Sequence, residues 1–246
     1  MALRLLLTGA GGQTGSRVLA LAKADETFRV AGRLGQEDRD WPAADALIDF
    51  SVPEQTARVA RRCAEAGLPL INGTTGLTGN QQATVSEAAR AVPVVQSGNF
   101  SAGVTVLSAL VERAAALLPE GYDIEIEETH HRRKKDAPSG TALLLGEAAA
   151  RGRGTTLQSA AVYARQGRAE GRALGEIGFA VRRGGGVFGE HEVALMAEEE
   201  VLTLGHSALG RDVFARGALH AARWAQGRAP GLYGMREVLG LEGSAS

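Results

Sequence analysis

The most constraining feature of the sequence lies at its start, where a short apolar run leads into three glycines spaced three residues apart. Residues 3–8 are LRLLLT, and Gly9, Gly12 and Gly15 come between this run and a helical pattern over residues 16–24. A glycine-rich turn between a strand and a helix lets backbone N–H groups and the helix N-terminus face a pyrophosphate. The chain is therefore predicted to open with a strand–turn–helix unit that binds a dinucleotide.

Short apolar runs and helical patterns alternate through the first hundred residues. Such alternation requires crossover connections, which produce a parallel sheet with helices on both faces. The sequence thus predicts an α/β fold that begins with a doubly wound parallel nucleotide-binding domain. An ordinary tight turn would also explain the glycines, but the alternation that follows favours the dinucleotide site. The predicted strands are residues 3–8, 28–31, 46–50, 68–72 and 93–96, and the predicted helices are residues 16–24, 54–66 and 81–91.

A different pattern follows Asn99. In residues 122–128, Ile124 and Ile126 alternate with acidic residues, as expected of a strand with one buried face. Several strands then follow without long helices between them, which favours an α+β second domain with an open mixed, largely antiparallel sheet. The further predicted strands are residues 159–164, 176–182, 190–197 and 201–206, and the predicted helices are residues 104–118, 142–150 and 212–225.

Charge and composition exclude several classes of protein. Lys+Arg number 27 and Asp+Glu 28, a net charge of −1, which argues against nucleic acid as a partner. Hydrophobic residues at 44% and charged residues at 22% exclude a collagen-like, coiled-coil or wholly disordered chain. The single cysteine, Cys63, cannot form an intrachain disulfide, so a reducing compartment is the simplest assumption. Because no apolar run approaches the length of a membrane span, we expect a cytoplasmic protein without a membrane partner.

The residue that follows the second predicted strand bears on the choice of cofactor. NAD-binding proteins of this kind place an acid there to bind the adenosine ribose, whereas this chain has Arg33 after Gly32. A guanidinium supplies paired donors and positive charge for the 2′-phosphate of NADP. Glu37 and Asp38 lie close in sequence, and a solvated surface arginine is the other interpretation. We expect NADPH as the preferred cofactor and NADH as the alternative.

A basic, histidine-containing segment, residues 128–141, carries most of the chemical information. Four consecutive cations follow His130 and His131, and a Ser-Gly-Thr sequence then opens a helix. The unpaired N–H groups of that helix and the cations predict a carboxylate or phosphate pocket, with a histidine that can exchange protons near neutral pH. A solvated face and a nucleic-acid patch are the alternatives, although aromatic residues make up only 4% of the chain. A metal site that includes His191 and His206 lacks any recognised ligand spacing, so no metal is expected.

At these residues the sequence resembles the 4-hydroxy-tetrahydrodipicolinate reductases (dihydrodipicolinate reductases) of the diaminopimelate route to lysine. The resemblance covers nearly the whole chain, and the HHRRKKDAPSGTA sequence at residues 130–142 is its most specific part. The other matching sequences are GAGGQTG at 9–15, DFSVPE at 49–54, GTTG at 73–76, GNFSAG at 98–103 and GEHE at 189–192.

The resemblance implies both an activity and a set of residues. The activity is NAD(P)H-dependent reduction of 4-hydroxy-tetrahydrodipicolinate, a small dicarboxylate, to tetrahydrodipicolinate with loss of water. His130 corresponds to the catalytic histidine and Lys134 to the proton donor, while His131, Gly140 and Thr141 correspond to the substrate-carboxylate contacts. The residues that correspond to the pyrophosphate turn are Gly9, Ala10, Gly11, Gly12, Gln13 and Thr14, and those on the nicotinamide side are Gly73, Thr74, Thr75, Ser97, Gly98, Asn99 and Phe100.

The resemblance also implies the domain organisation and the assembly. Residues 1–99 and 212–246 would form the dinucleotide-binding domain, and residues 100–211 the substrate-binding and oligomerisation domain of a homotetramer. Residues 35–44 leave little room for a helix between the second and third strands, so the adenosine end is expected to be more exposed than in longer relatives. A different nicotinamide-dependent amino-acid dehydrogenase would explain the glycines but not residues 130–141. An NADPH-sensing protein would bind the cofactor without turnover.

Overall fold

The computed structural model describes residues 1–35, 38, 40–167 and 171–241. Contacts between Cα atoms divide the chain into two compact units. Unit 1 comprises Met1–Ala102 and Arg211–Ser246, and unit 2 comprises Gly103–Gly210.

Unit 1 is a six-stranded parallel sheet with helices on both faces. The strand order is β11-β5-β4-β3-β1-β2, and every strand pairing is parallel, which confirms the predicted doubly wound domain. The short elements β11 and α8 had no counterpart in the sequence prediction. The elements are β1 (Leu3–Thr8), α1 (Gln13–Ala24), β2 (Phe28–Leu34), β3 (Ala46–Asp49), α2 (Pro53–Ala66), β4 (Leu70–Asn72), α3 (Gly79–Ala88), β5 (Pro93–Gln96), α7 (Asp212–Trp224), β11 (Gly231–Tyr233) and α8 (Met235–Val238).

The leucines of β1 show how the two faces of this sheet are covered. Leu5 and Leu7 pack into a cluster with residues of α1 and α7, whereas Leu6 packs into a cluster with residues of α2 and α3. This division follows from the strand geometry, in which successive side chains point to opposite faces. All three leucines are buried, and burial of one such side chain contributes about 1.5–3 kcal/mol.

The parallel arrangement determines where a ligand site can form. The loops that follow β1, β2, β3, β4 and β5 all leave the same edge of the sheet. The chain passes from β1 outwards to β2 and then crosses back to β3 on the other side of β1. In open α/β sheets, ligands bind at such a switch point, outside the carboxyl ends of the strands. The loops after β1 and β3 are therefore the expected walls of the site.

Unit 2 is a mixed sheet of five strands with the order β10-β9-β6-β8-β7. Strand β9 pairs antiparallel with β6 and β10, whereas β8 pairs parallel with β6 and β7. The expected mixed sheet is confirmed, but it is not largely antiparallel, because two of its four pairings are parallel. The elements are α4 (Ala102–Leu117), β6 (Asp123–His130), α5 (Gly140–Gly152), α6 (Leu157–Ala160), β7 (Ala161–Val162), β8 (Ile177–Arg183), β9 (Glu190–Met196) and β10 (Val201–Ser207).

One strand prediction in unit 2 was partly wrong. Residues 159–164 were expected to be a strand, but residues 159 and 160 end α6, and β7 contains only two residues. The side chain of Thr156 accepts a hydrogen bond from the N–H of Ser159 and so caps a single helical turn. Such a cap favours the turn over an extended chain.

The alternation along β6 places two polar side chains in the interior. Ile124, Ile126, Glu128 and His130 are buried, and the residues between them are partly exposed. The two isoleucines pack in a cluster that contains Leu145 of α5. Because residues i, i+2 and i+4 line one face of a strand, Glu128 and His130 lie on this same face. Over the described part of the chain, no helix is long and apolar enough to cross a membrane.

Candidate active site

The glycine turn after β1 packs against the loop that follows β3. Gly9 has a φ of +69°, and a Cβ atom there would overlap the carbonyl oxygen of Phe50. A Cβ atom on Gly15 would overlap the carbonyl oxygen of Gly9, which accepts a hydrogen bond of 2.9 Å from the N–H of Gly12. These close approaches explain why glycine is needed at positions 9 and 15.

The turn forms one wall of a cleft of about 640 Å³. No side chain caps the N-terminus of α1, which begins at Gln13 and Thr14. Of the predicted pyrophosphate turn, residues 9–12 line this cleft together with Arg33, whereas Gln13 and Thr14 are not among the lining residues. The lining residues are Gly9, Ala10, Gly11, Gly12, Arg33, Leu34, Gly35, Phe50, Ser51, Val52 and Gln55. A glycine cradle, an uncapped helix N-terminus and an arginine suit a phosphorylated dinucleotide, so the residues present fit this cofactor.

Residues from α2 support the arginine end of the cleft. The carbonyl oxygen of Gly35 accepts hydrogen bonds from Arg58 Nη2 at 3.0 Å and Gln55 Nε2 at 3.4 Å. The carboxylate of Asp38 accepts a hydrogen bond of 2.7 Å from the N–H of Gly35. Both the N–H and the C=O group of Gly35, two residues after Arg33, are therefore held by hydrogen bonds. Glu37, which the sequence analysis placed near this arginine, lies outside the described residues.

A buried carboxylate organises the loop after β3. Asp49 is fully buried and accepts hydrogen bonds from Thr8 Oγ1 and Thr56 Oγ1, each 2.6 Å long, and from the N–H of Ser51 at 2.9 Å. These bonds join β1, β3 and α2 beneath the cleft. Sequence reasoning assigned Asp49 no role, although an acid at the end of an apolar strand is a detectable signal because unpaired acids are rarely buried.

The loops after β4 and β5 meet at the ring of Phe50. A Cβ atom on Gly73 would overlap this ring, and Phe100 lies edge-on to it with 5.7 Å between ring centroids. A Cβ atom on Gly98 would lie 3.7 Å from the Thr75 methyl group. Most of the residues predicted for the nicotinamide side are thus brought together in unit 1, around a phenylalanine that the sequence analysis did not single out.

Local hydrogen bonds fix the backbone of these two loops. Asn72 Oδ1 accepts a hydrogen bond of 3.0 Å from the N–H of Thr74. Ser97 Oγ donates to the carbonyl oxygen of Asn99 at 2.6 Å, and Asn99 Oδ1 accepts from the N–H of Ser101 at 2.8 Å. Side chains that bond their own backbone two residues away hold a loop in one turn conformation.

In unit 2, Glu128 makes four hydrogen bonds to three residues, His130 of the same strand, Arg183 of β8 and Ser139 before α5. Its Oε2 atom lies 2.6 Å from His130 Nδ1 and 2.7 Å from Arg183 Nη1. Its Oε1 atom lies 2.7 Å from Arg183 Nη2 and 2.9 Å from the backbone nitrogen of Ser139. The Glu128 side chain is 0% exposed. The arginine also donates to the carbonyl oxygen of Asp136 at 2.7 Å, which ties the loop to β8.

The electrostatics of this cluster favour a charged carboxylate and a neutral imidazole. Burial alone would raise the pKa of Glu128, but hydrogen bonds from Arg183, His130 and Ser139 outweigh it and lower the pKa. Burial lowers the pKa of His130, opposed by Glu128 and assisted by the positive charges of Lys134 and Arg183. At neutral pH, His130 is therefore available as a neutral hydrogen-bonding group.

A second histidine packs against the first. The ring centroids of His130 and His191 are 5.1 Å apart, and the planes of the two rings meet at 76°. The Nε2 atom of His191 lies 2.9 Å from Ser139 Oγ, which also accepts a hydrogen bond from the N–H of Ala142 and caps α5. Burial, followed by the nearby His130, lowers the pKa of His191 to about 4. A histidine, the helix cap and Glu128 are therefore parts of one buried network.

The other predicted residues of unit 2 lie in and beside the loop between β6 and α5. β6 ends at His130, and the N–H of His131 donates to the carbonyl oxygen of Val187 at 2.7 Å, so the chain leaves strand geometry between the two histidines. Lys134 Nζ lies 2.8 Å from Asp136 Oδ2. Gly140 and Thr141 are the first two residues of α5. Among the described residues, no group of three or more His, Cys, Asp or Glu side chains could hold a metal ion.

The sequence alone assigned no role in this network to Glu128, Arg183 or His191, although Glu128 opens segment 128–141 and His191 was weighed as a metal ligand. Glu128 could have been found by extending the Ile124–Ile126 alternation by one step, since this places the acid on the buried face. Arg183 and His191 come from β8 and β9, more than 50 residues from their partners Glu128 and Ser139, and no local pattern linked them to segment 128–141.

Unit 1 is doubly wound and carries a glycine turn. Unit 2 holds a buried histidine–carboxylate pair beside a cationic loop. These features define a two-domain pyridine-nucleotide oxidoreductase. Residues 3–100 match the family model for the dihydrodipicolinate reductase N-terminus, and residues 103–239 match the model for its C-terminus. The chain belongs to the dihydrodipicolinate reductase family, as the resemblance in the sequence indicated.

Individual relatives match over almost the whole chain. The chain is 43% identical to the 4-hydroxy-tetrahydrodipicolinate reductase of Parvibaculum lavamentivorans, over 98% of each protein. It is 44% identical to that of Caulobacter vibrioides, over 97% of this chain and 98% of the relative. A dipicolinate-bound dihydrodipicolinate reductase from Paenisporosarcina sp. TG-14 shares the fold, with a TM-score of 0.78 at 22% identity, over 96% of this chain and 99% of that one.

Proposed function

We propose that this protein catalyses the NAD(P)H-dependent reduction of 4-hydroxy-tetrahydrodipicolinate to tetrahydrodipicolinate in the diaminopimelate route to lysine. The reaction adds one hydride and one proton to the substrate and releases one water. The observation that carries the proposal is segment 128–141, in which a buried histidine–carboxylate pair, a cationic loop and a helix N-terminus adjoin one another. Family membership over nearly the whole chain supports the same reaction.

The substrate carries two carboxylates, and unit 2 has suitable groups to bind them. The N-terminus of α5, with Gly140 and Thr141, offers backbone N–H groups to one carboxylate. His131 and the cations of the loop supply further donors. The Paenisporosarcina relative is described as bound to dipicolinate, which is itself a dicarboxylate.

Proton delivery falls to Lys134 in this proposal. When bound, the reduced nicotinamide supplies the hydride. Lys134 Nζ lies 2.8 Å from Asp136 Oδ2, so the loop holds the side chain in an ion pair. Burial would raise the pKa of Asp136, but the hydrogen bond from Lys134 helps to lower it, so Asp136 is a carboxylate at neutral pH. An ammonium held beside the substrate gives its proton to the carbon next to the hydride acceptor.

The preferred cofactor is NADPH, and the assembly is a homotetramer located in the cytoplasm. Arg33 in the cleft supports NADPH because a guanidinium pairs with a 2′-phosphate.

Exposed apolar side chains on the strands of unit 2 support assembly through its sheet: Val181, Val201 and Leu202 are 37%, 57% and 39% exposed. Light scattering on purified protein should give about four times the chain mass of 25.6 kDa.

The deciding experiment follows nicotinamide absorbance with purified protein, NADPH or NADH, aspartate semialdehyde, pyruvate and the upstream synthase, so that the unstable substrate forms in place. We expect oxidation that depends on the synthase. The Lys134→Ala variant should lose at least about 100-fold in turnover, in the range for general acid catalysis, while NADPH still binds. Unchanged turnover in this variant would exclude Lys134 as the donor. NADPH binding without any wild-type oxidation would reject the reductase.

A further inference from the structure

Glu128 is a buried carboxylate that receives hydrogen bonds from donors only. Arg183 and the Ser139 backbone N–H group are obligatory donors, since neither can accept a hydrogen bond. Both Glu128 oxygens are occupied, one by Arg183 and His130 and the other by Arg183 and Ser139. The bidentate guanidinium offsets the cost of burying the negative charge.

We propose that Glu128 is a positioning residue that holds His130 in the tautomer with the proton on Nδ1 and fixes the ring relative to the N-terminus of α5. An ionised carboxylate can only accept, so the imidazole nitrogen that faces it must donate. In the neutral imidazole, Nε2 is then left without a proton and acts as an acceptor. The proposal rests on the proposed function, and on the role of catalytic histidine that the family resemblance implies for His130.

The packing around His130 supports a fixed ring. A Cβ atom on Gly189 would lie 2.9 Å from His130 Nε2, closer than side chains approach, so only glycine fits there. The His191 ring covers another side of the imidazole. The same carboxylate that orients the ring also binds the Ser139 backbone nitrogen, one residue before α5 begins. Glu128 therefore couples the position of the histidine to that of the predicted carboxylate-binding residues Gly140 and Thr141.

The Glu128→Gln variant tests this role because an amide cannot replace an acceptor-only group here. Whichever Glu128 oxygen the glutamine NH₂ group replaces, it must face atoms that donate hydrogen bonds to Glu128 in the wild type. Of these partners, only His130 can become an acceptor, by moving its proton from Nδ1 to Nε2. We expect the variant to switch the tautomer of His130 and to leave Arg183 without its counter-charge.

The measurement is ¹⁵N NMR of histidine-labelled protein at pH 7.5, with His130 assigned by replacement. The wild type should carry its proton on Nδ1 and Glu128→Gln on Nε2. Turnover of the variant should fall by about 100-fold or more, as expected when a catalytic histidine is held in the wrong tautomer. NADPH affinity should stay within about 2-fold, since the dinucleotide cleft lies in unit 1.

Glu127→Gln is the matched control. Glu127 is the neighbouring residue of β6, points to the opposite face and pairs with Arg182. This variant removes an equal charge and should keep both the wild-type tautomer and wild-type turnover. Glu128→Asp retains an acceptor-only carboxylate, so it should keep the Nδ1 proton and exceed Glu128→Gln in turnover.

Three results would overturn the proposal: a wild-type His130 with its proton on Nε2, a Glu128→Gln variant that keeps turnover within about 2-fold, or a switched tautomer without loss of turnover. If Glu128→Gln does not fold, the wild-type spectrum and Glu128→Asp decide the matter. Absence of wild-type turnover would reject the proposed function, whereas the spectra would still report whether Glu128 sets the tautomer.

Discussion

At the level of single side chains, the proposed preference for NADPH depends on Arg33. It is exposed at the end of β2 and lines the cleft formed by the glycine turn. The backbone next to it is held by Arg58 and by Asp38. A held backbone adds little to the ordering cost of binding. Under the proposed function, Arg33 binds the 2′-phosphate and so discriminates between cofactors that differ by one phosphate group.

Replacing Arg33 with alanine should weaken NADPH binding by about 10-fold, the effect of one charge-assisted hydrogen bond of roughly 1.5 kcal/mol. NADH affinity should change by less than about 2-fold because NADH has no 2′-phosphate. Fluorescence titration of each cofactor measures both values. Arg29→Ala is the control, since Arg29 is also exposed on β2 but does not line the cleft. Equal losses for the two cofactors would refute the assigned role of Arg33.

At the scale of elements, helix α7 packs closely against α1 and against the loop that follows β5. This helix comes from the end of the chain and contributes small buried residues, including Ala215, Ala218 and Ala222, to the cluster shared with α1. Gly217 lies against Phe100, where a Cβ atom would overlap the Phe100 carbonyl oxygen. Small side chains thus let the helix lie directly on the loop that follows β5.

The Gly217→Ala substitution should separate α7 from this loop. Although alanine favours helix formation by about 1 kcal/mol, the overlap with a backbone atom should give a net loss of at least about 2 kcal/mol in unfolding free energy. Urea denaturation monitored by circular dichroism measures the change. His220→Ala, at an exposed position of the same helix, should change stability by less than about 0.5 kcal/mol. A Gly217→Ala protein as stable as the wild type would contradict the assigned packing.

At the scale of the whole molecule, the response to acid should come largely from unit 2. His130, His191 and His206 all lie in this unit, and burial lowers the pKa of each. When folding lowers the pKa of a histidine, the unfolded chain takes up the proton at a higher pH than the folded protein does. Acidification therefore favours unfolding, and the stability present above pH 6.5 is lost as the pH falls towards the folded-state value.

His191 should contribute most clearly, since its pKa falls from 6.5 to about 4. Between pH 7 and pH 5 this one group should remove about 2 kcal/mol of unfolding free energy. Urea denaturation at the two pH values should show a smaller decrease for His191→Gln than for the wild type. Comparing the pH dependence, rather than the stability at one pH, separates titration from the hydrogen bond to Ser139 that the variant loses. Identical decreases would show that His191 does not titrate in this range.

Much of unit 1 could be predicted because its signals are local. Residues 3–8 and 93–96 were predicted as strands with the observed bounds, and the glycines of the first turn indicated a close backbone approach before any contact was known. The roles of Asp49 and Phe50 could not be predicted in this way. Each depends on residues from separate loops and helices that meet only in the folded sheet.

The order of elements, the glycine turn and the cationic segment could be predicted from the sequence alone, because periodicity, turn chemistry and charge act over a few residues. The contacts of Arg183 of β8 with Glu128 and of His191 of β9 with Ser139 exist only in the folded sheet. The register of the sheet places β6 beside β8 and β9, although the contacting residues are more than 50 positions apart in the sequence. This alignment buries the histidines, and burial in turn sets their protonation.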